Sequence, residues 1–481
     1  NSAVEFGGGV YATESSYVTL WDPDVSIYGN LAQFGGGVYL TGTLSVLNLF
    51  SNARIAYNEA VAPGPNLPAN GGGVYASGEA SVYAGPGQFI ANQADLSGGG
   101  LYLAQGGALA PTGAALVNGA LLQANSAQYG GALYLAEDGA QVAIDGSQVL
   151  ENHAEHIGGG IRLFADNQLR IVNGSIISGN YVNTANGGGL AIADGRVTIA
   201  DSDIRSNQAI TEGGGIQQTG GVLTLTNVML ADNEAEFGGG LAASNGSELH
   251  MSADFTTCDP WTLPAHVYCS EVRGNSAAGS GAGLYLQDSR TRITDTAFLD
   301  NLGENSGTSP GTAMLVGRSA QVSATNALFS GNGLMGNTAV HVYLDAAYYS
   351  DNSTYAGNHD TPLYSVSDST LELYRNNIWD NANSEYLQSN SIISYCNNTQ
   401  VLLGGLTNLS VDPLFVTTSR GPYRLPLHSP LVDYCAGQTD HDLDGRLRPI
   451  NGQAGISAYD YDIGAFEAPL RVHLPLVLRA F

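Results

Sequence analysis

Apolar and polar residues alternate along this chain in short runs, and the runs are set off by glycine. Gly-Gly-Gly or Gly-Gly-Ala triplets begin at Gly7, Gly35, Gly71, Gly98, Gly130, Gly158, Gly187, Gly213 and Gly238, with a degenerate copy at Gly281. The first position after each is apolar: Val10, Val38, Val74, Leu101, Leu133, Ile161, Leu190, Ile216, Leu241 and Leu284. The third is mostly apolar too, as at Leu40, Leu103, Leu135, Leu163, Ile192 and Leu286. A period of two is the signature of a strand with one buried face. Each copy holds a second alternating run, such as Val197-Thr198-Ile199 or Leu223-Thr224-Leu225. A third run ends in asparagine, at Asn125, Asn152, Asn180, Asn207 and Asn233. No stretch carries a helical period.

The triplets recur every 25 to 36 residues, and the last interval is 43. Proline-rich residues 63–68 and an insertion at about 254–272 account for long intervals. Three short strands per copy cannot bury their own apolar positions, whereas stacked copies can. The predicted fold is therefore all-β: a single-stranded, right-handed parallel β-helix in which each copy is one coil. Asparagines at one register, Asn125, Asn152, Asn180, Asn207 and Asn233, are expected to form a ladder of side-chain amides between coils.

The unit Asn-x4–6-Gly-Gly-Gly/Ala-apolar, from Asn1 to Leu286, resembles the repeat of polymorphic outer-membrane proteins and related bacterial β-helix proteins. Beyond Leu286 the alternation continues over 320–328, 339–344 and 371–374, with asparagines at Asn332, Asn352 and Asn381, and reads as less regular coils. Four segments then follow: Asp412-Pro413-Leu414-Phe415, Ser429-Pro430-Leu431-Val432-Asp433, Asp442-Leu443-Asp444-Gly445-Arg446 and Asp462-Ile463-Gly464-Ala465-Phe466-Glu467. This series resembles the choice-of-anchor C-terminal module of secreted bacterial β-helix proteins. The resemblance implies a cap over the last coil, export, and no enzymatic activity. The expected organisation is a β-helix over 1–410, a capping module over 411–467 and an apolar tail strand over 468–481.

Composition agrees with a folded, strand-rich chain: 64 glycines, 43% hydrophobic and only 12% charged residues in 481. The net charge is −27 and every one of the 16 basic residues is arginine. Nucleic-acid binding is not expected, because it needs clustered basic residues. No apolar run is long enough for a transmembrane helix, and no signal peptide is visible. The chain reads as a processed, secreted protein, extracellular or at a cell surface. Its four cysteines, Cys258, Cys269, Cys396 and Cys435, read as two local disulfides in an exported protein or as buried free thiols.

Candidate chemistry is sparse. Asp440, Asp442 and Asp444, followed by Gly445, have the spacing of a calcium loop, although Asn451 stands where a bidentate glutamate is usual. They read equally as an Asp-rich turn paired with Arg446 or Arg448. Tyr11, Tyr39, Tyr75, Tyr102 and Tyr134 form an outward stripe, which reads as a sugar platform, a subunit contact, or simple stacking. His153 and His156 suit a surface turn better than a metal site. Sequons stand at Asn173, Asn245, Asn352, Asn397 and Asn408. Glycan hydrolases of this architecture need Asp-Asp and Gly-His-Gly steps, both absent here. A lyase would have to use Arg162 or Arg170 beside Asp166 or Glu155. The tail alternates Val472, Leu474, Leu476 and Leu478, a pattern suited to strand donation into the first coil of another copy. The expected function is thus an extracellular structural protein whose main partner is itself, assembled head to tail. A carbohydrate-binding adhesin or polysaccharide lyase acting on an extracellular glycan is the alternative.

Overall fold

The computed structural model describes all residues except 66, 105–116, 137–138, 265–266, 304–309, 335, 384–390, 438, 449–460 and 469–481. The described residues build an all-β parallel β-helix. The first coil contains strands β1 (Val10–Thr13), β2 (Tyr17–Leu20), β3 (Ser26–Tyr28) and β4 (Leu31–Ala32). The β1 position repeats as a 13-stranded parallel sheet that ends at Thr361–Ser365. The β2 and β3 positions together form a 26-stranded sheet. At Arg196–Arg205 and Val222–Ala231 they fuse into single ten-residue strands.

Each coil therefore has four strand positions where the sequence pattern predicts three. The fourth is the short bridge between the ladder asparagine and the glycines, too brief to show an alternation. It forms sheets of six and three strands. At ~4.8 Å per coil, the 13 levels of the β1 sheet make a rod on the order of 60 Å long.

The same register is kept from coil to coil, and over the first coils it stacks like on like. Val10 pairs with Val38 and Tyr11 with Tyr39, and Leu101 and Tyr102 sit over Leu133 and Tyr134. The first post-glycine position thus becomes a buried column from Val38 through Leu284 to Leu363. One continuous apolar core runs from Ala12 to Ile378. Such burial stabilises by about 25 cal/mol per Å² of apolar surface, but only once a neighbouring coil is in place.

The glycine triplet has a steric cause. At Gly71 the backbone lies in the left-handed region, φ +70°. At Gly73 a Cβ would stand 2.5 Å from the carbonyl of Gly100 and against the Asn92 amide. A Cβ at Gly73 would therefore force its neighbours to shift.

The asparagine ladder is longer than its sequence register suggests. It runs unbroken through Asn30, Asn58, Asn92, Asn125, Asn152, Asn180, Asn207, Asn233, Asn275, Asn301, Asn332, Asn358 and Asn381. Each Nδ2 donates to the Oδ1 of the next at 2.8–3.0 Å. Each Oδ1 also accepts the backbone N–H of the preceding ladder residue, as Asn180 does from Asn152 at 3.0 Å.

Candidate functional site

Tyr11, Tyr39, Tyr75, Tyr102 and Tyr134 do form one stacked column. Successive ring centroids are 5.0–5.5 Å apart and the rings lie within 12° of parallel. Parallel register forces this, because like residues stand ~4.8 Å apart. Arg162 takes the next level, with its guanidinium 5.0 Å from the Tyr129 ring and 5.9 Å from that of Tyr134. Burial holds the Arg162 pKa below its usual value. Neighbouring rings occupy both faces of Tyr39, Tyr75 and Tyr102. A pyranose stacks on an open ring face, so Tyr39, Tyr75 and Tyr102 offer a sugar only ring edges, while Tyr11 at the end of the column is 58% exposed. The geometry is that of a stacking element.

The densest constellation of charged groups lies where the C-terminal segment meets the rod. Leu425, Leu431, Val432, Ile463 and Ala468 pack on the last coil, to which the disulfide Cys396–Cys435 ties their segment. The segment also folds back along the flank of the rod. Leu443, Ala465 and Phe466 pack there on Ala297, Leu328 and Tyr268. His441 Nε2 lies 3.1 Å from Asp295, the Ala465 N–H donates to Thr354 at 3.0 Å, and the Gly464 N–H donates to the Arg375 carbonyl at 2.8 Å. The insertion loop, closed by the disulfide Cys258–Cys269, meets the same segment. Trp261 lies between the guanidiniums of Arg420 and Arg446, and Phe255 meets His441 edge-on. The segment is a clasp on several coils as well as a cap on the last.

Within the clasp Arg424 grips Asp444 bidentately, at 3.1 and 2.7 Å, with both side chains buried. Its guanidinium also lies 3.7 Å from the Phe466 ring centroid and donates to the Tyr268 hydroxyl at 3.2 Å. Arg448, fully buried, faces Glu467 at 3.3 Å. Asp442 accepts the N–H groups of Arg446 and Glu467 at 2.8 and 3.0 Å. Asp462 accepts those of Asp433 and Ala468 at 2.8 and 2.6 Å. Burial pushes Asp442 up to about 6 and raises Asp462 and Glu467 as well, with Arg448 opposing the rise in all three.

This geometry does not fit the calcium loop that the Asp440-x-Asp442-x-Asp444 spacing suggests. Both oxygens of Asp444 go to Arg424, both of Asp442 go to backbone N–H groups, and Asp440 is exposed. Among the described residues no group of three or more His, Cys, Asp and Glu is placed to hold a metal ion. Asn451 lies outside the described residues. The expected result of adding EDTA is an unchanged melting temperature; a fall reversed by Ca²⁺ would reinstate the ion.

Other sequence candidates disperse. His153 stacks on Tyr181 at 4.6 Å, and His156 bonds Thr184 at 2.8 Å. The sequon asparagines Asn352 and Asn397 are buried, so no glycan fits on them, whereas Asn173 and Asn245 are exposed. Arg170 points outward from its strand, and Asp166 borders a shallow cleft with Asp194 and Arg196. Val472, Leu474, Leu476 and Leu478 lie outside the described residues.

The class these observations define is a parallel β-helix with a laterally clasped C-terminal segment and two disulfides. No protein-family model, curated protein or solved structure matches this chain.

Proposed function

We propose that this chain is an extracellular structural rod that uses its stiffness to span or build a surface layer. The unbroken asparagine ladder carries this reading. It couples each coil to the next through buried hydrogen bonds along the length of the helix, so the rod resists bending and fraying. Two disulfides support export, since such bonds persist in oxidising compartments. The repeat's likeness to polymorphic outer-membrane proteins and the choice-of-anchor likeness of residues 411–467 point to the same location.

The same proposal includes head-to-tail assembly, in which the alternating tail strand of one copy adds to the edge of β1 or β2 in another. Such a contact is heterologous and does not close, so it builds filaments. The test is electron microscopy and sedimentation of the full chain beside a variant lacking residues 469–481. The full chain is expected to form filaments, and the truncated chain to remain monomeric and folded. A full chain that stays monomeric at high concentration, or filaments that persist after truncation, would refute the assembly.

A further inference from the structure

Beyond the structural role, we infer that one face of the rod is a binding groove for a carboxylate-bearing polysaccharide. The groove lies far from the tyrosine column, on the β2-position strands Glu248–Ser252, Arg290–Thr294, Gln321–Thr325, Ala347–Asp351 and Thr370–Tyr374. These strands stack in register, which fixes two outward columns. One is Glu248, Arg290, Gln321, Ala347 and Thr370. The other is His250, Arg292, Ser323, Tyr349 and Glu372. Leu249, Val322 and Leu371, between the columns in sequence, point into the core. Where small residues, Ser323 and Ala347, follow long ones, the surface sinks. The hollow is about 370 Å³ and is bordered by Arg290, Arg292, Gln321, Ser323, Tyr349 and Glu372. Its size suits a short stretch of oligosaccharide.

The hollow brings two arginines, Arg290 and Arg292, together with two glutamates, Glu248 and Glu372. In a protein of net charge −27, Arg290 and Arg292 project side by side from one strand, roughly 7 Å apart by strand geometry. Both are exposed, and among the described residues neither forms an ion pair. Glu248 stands beside Arg290, yet its carboxylate turns to His250 Nε2 at 3.0 Å. Two guanidinium forks free for an outside partner match carboxylates, which they bind bidentately.

The remaining lining selects for sugar. Gln321 and Ser323 supply amide and hydroxyl groups. Tyr349 leans on Tyr374, which stands in the Asp351 column, at 5.3 Å, and its own column neighbours are Ser323 and Glu372. One ring face therefore borders the hollow, unlike those of Tyr39, Tyr75 and Tyr102. Glu372 at the far rim can accept sugar hydroxyls. The ligand class is a polyuronate, with carboxylates on Arg290 and Arg292 and a pyranose ring against Tyr349.

Isothermal titration of the full chain with oligogalacturonates, oligomannuronates and oligoglucuronates of two to six residues tests this. At least one carboxylated series is expected to bind, and its methyl-esterified counterpart to bind at least ~10-fold more weakly. The double variant Arg290→Gln/Arg292→Gln should lose ~10-fold or more in affinity, and Tyr349→Ala about fivefold. Arg170→Gln, an outward arginine on the same sheet, should bind as the parent chain does. The arginine sites are exposed, and matching melting curves for the variants verify that the fold is intact. The inference fails if no carboxylated oligomer binds, if the ester binds equally well, if the double variant retains full affinity, or if only sulfated oligosaccharides bind. None of these outcomes depends on filament formation, so the groove and the assembly stand or fall separately.

Discussion

Asn180→Ala should be among the most damaging single substitutions in this chain. The Asn180 side chain accepts from the Asn152 backbone N–H and from Asn152 Nδ2, at 3.0 and 2.9 Å. It donates to the Val149 carbonyl and to Asn207 Oδ1, both at 2.9 Å. Truncation strands several of these groups where water cannot reach them, since Asn152, Asn180 and Asn207 are at most 1% exposed. At ~1–3 kcal/mol for each buried polar group left unsatisfied, the loss is about 3–6 kcal/mol. Because each coil touches only its neighbours, damage at one level divides the rod into two weakly coupled stacks. The expected result is a lower melting temperature, a broadened or split transition, and loss of hydrogen-exchange protection centred on Asn152 and Asn207. Asn180→Asp should not rescue it, because a carboxylate oxygen would then face Asn207 Oδ1 and the Val149 carbonyl. Asn183→Ala is the control: Asn183 bonds Glu155 at 2.8 Å in the open, and its loss should cost less than ~0.5 kcal/mol. Equal melting of the two variants would show that the ladder is incidental.

The second large effect is expected at the clasp. Arg424→Met leaves Asp444, 1% exposed, without its cation. Breaking one side of a buried ion pair costs about 3–5 kcal/mol. The clasp should detach before the rod unfolds, giving early proteolytic cleavage within residues 411–448 while the coils stay protected. Arg424→Met/Asp444→Leu should recover part of the loss, because the stranded charge is gone. If the double variant is no better than the single one, stacking of Arg424 on Phe466 matters more than the ion pair.

Docking of the clasp should also depend on pH. Asp442, Asp462 and Glu467 all titrate above their unfolded values, chiefly because burial disfavours the charged form. Glu271, pushed up to about 7 by burial under the insertion loop, behaves alike. A carboxyl whose pKa is raised by folding holds its proton more tightly in the folded state, so stability falls as pH rises from the unfolded value, about 4, through the folded one. His441 acts in the same sense: its bond to Asp295 raises its pKa, and that contribution is lost as pH rises past the folded value. His341 opposes them at the acid end, because burial lowers it to about 4 and protonation there disfavours the fold. Melting of the clasp should therefore rise on going from pH 8 down towards about 4, where the carboxyl contribution levels off. Glu467→Gln should flatten this dependence.

Much of this molecule follows from its sequence alone, because a β-helix is almost one-dimensional. The period of two after each triplet specifies which residues face inward, since one slip of register would expose every apolar side chain. The recurrence of the triplets specifies the stacking of like on like. From these two facts the buried column Val38 to Leu284, the tyrosine column and the asparagine ladder all follow; the four cysteines read as disulfides or free thiols, and the structure pairs Cys258 with Cys269 and Cys396 with Cys435. The fourth strand position escaped the pattern because two or three residues are too few to alternate.

What the tertiary structure decided are the contacts between residues far apart in the chain and the consequences of close packing. Tyr39, Tyr75 and Tyr102 are legible as a stripe, but only their 5 Å spacing shows that their faces are already taken. Asp442 and Asp444 have the spacing of metal ligands, yet their partners, Arg424, Arg446 and the Glu467 N–H, arrive through folding of the whole clasp. The clasp's reach to Asp295 and Thr354 has no local signal at all. Arg290, Arg292 and Tyr349 look like scattered surface residues until the coils stack. A repeat sets its own interior through local periodicity. Its surface partners are chosen by which coil comes to lie beside which, and insertions, charge pairing and solvent exclusion act only in the assembled fold.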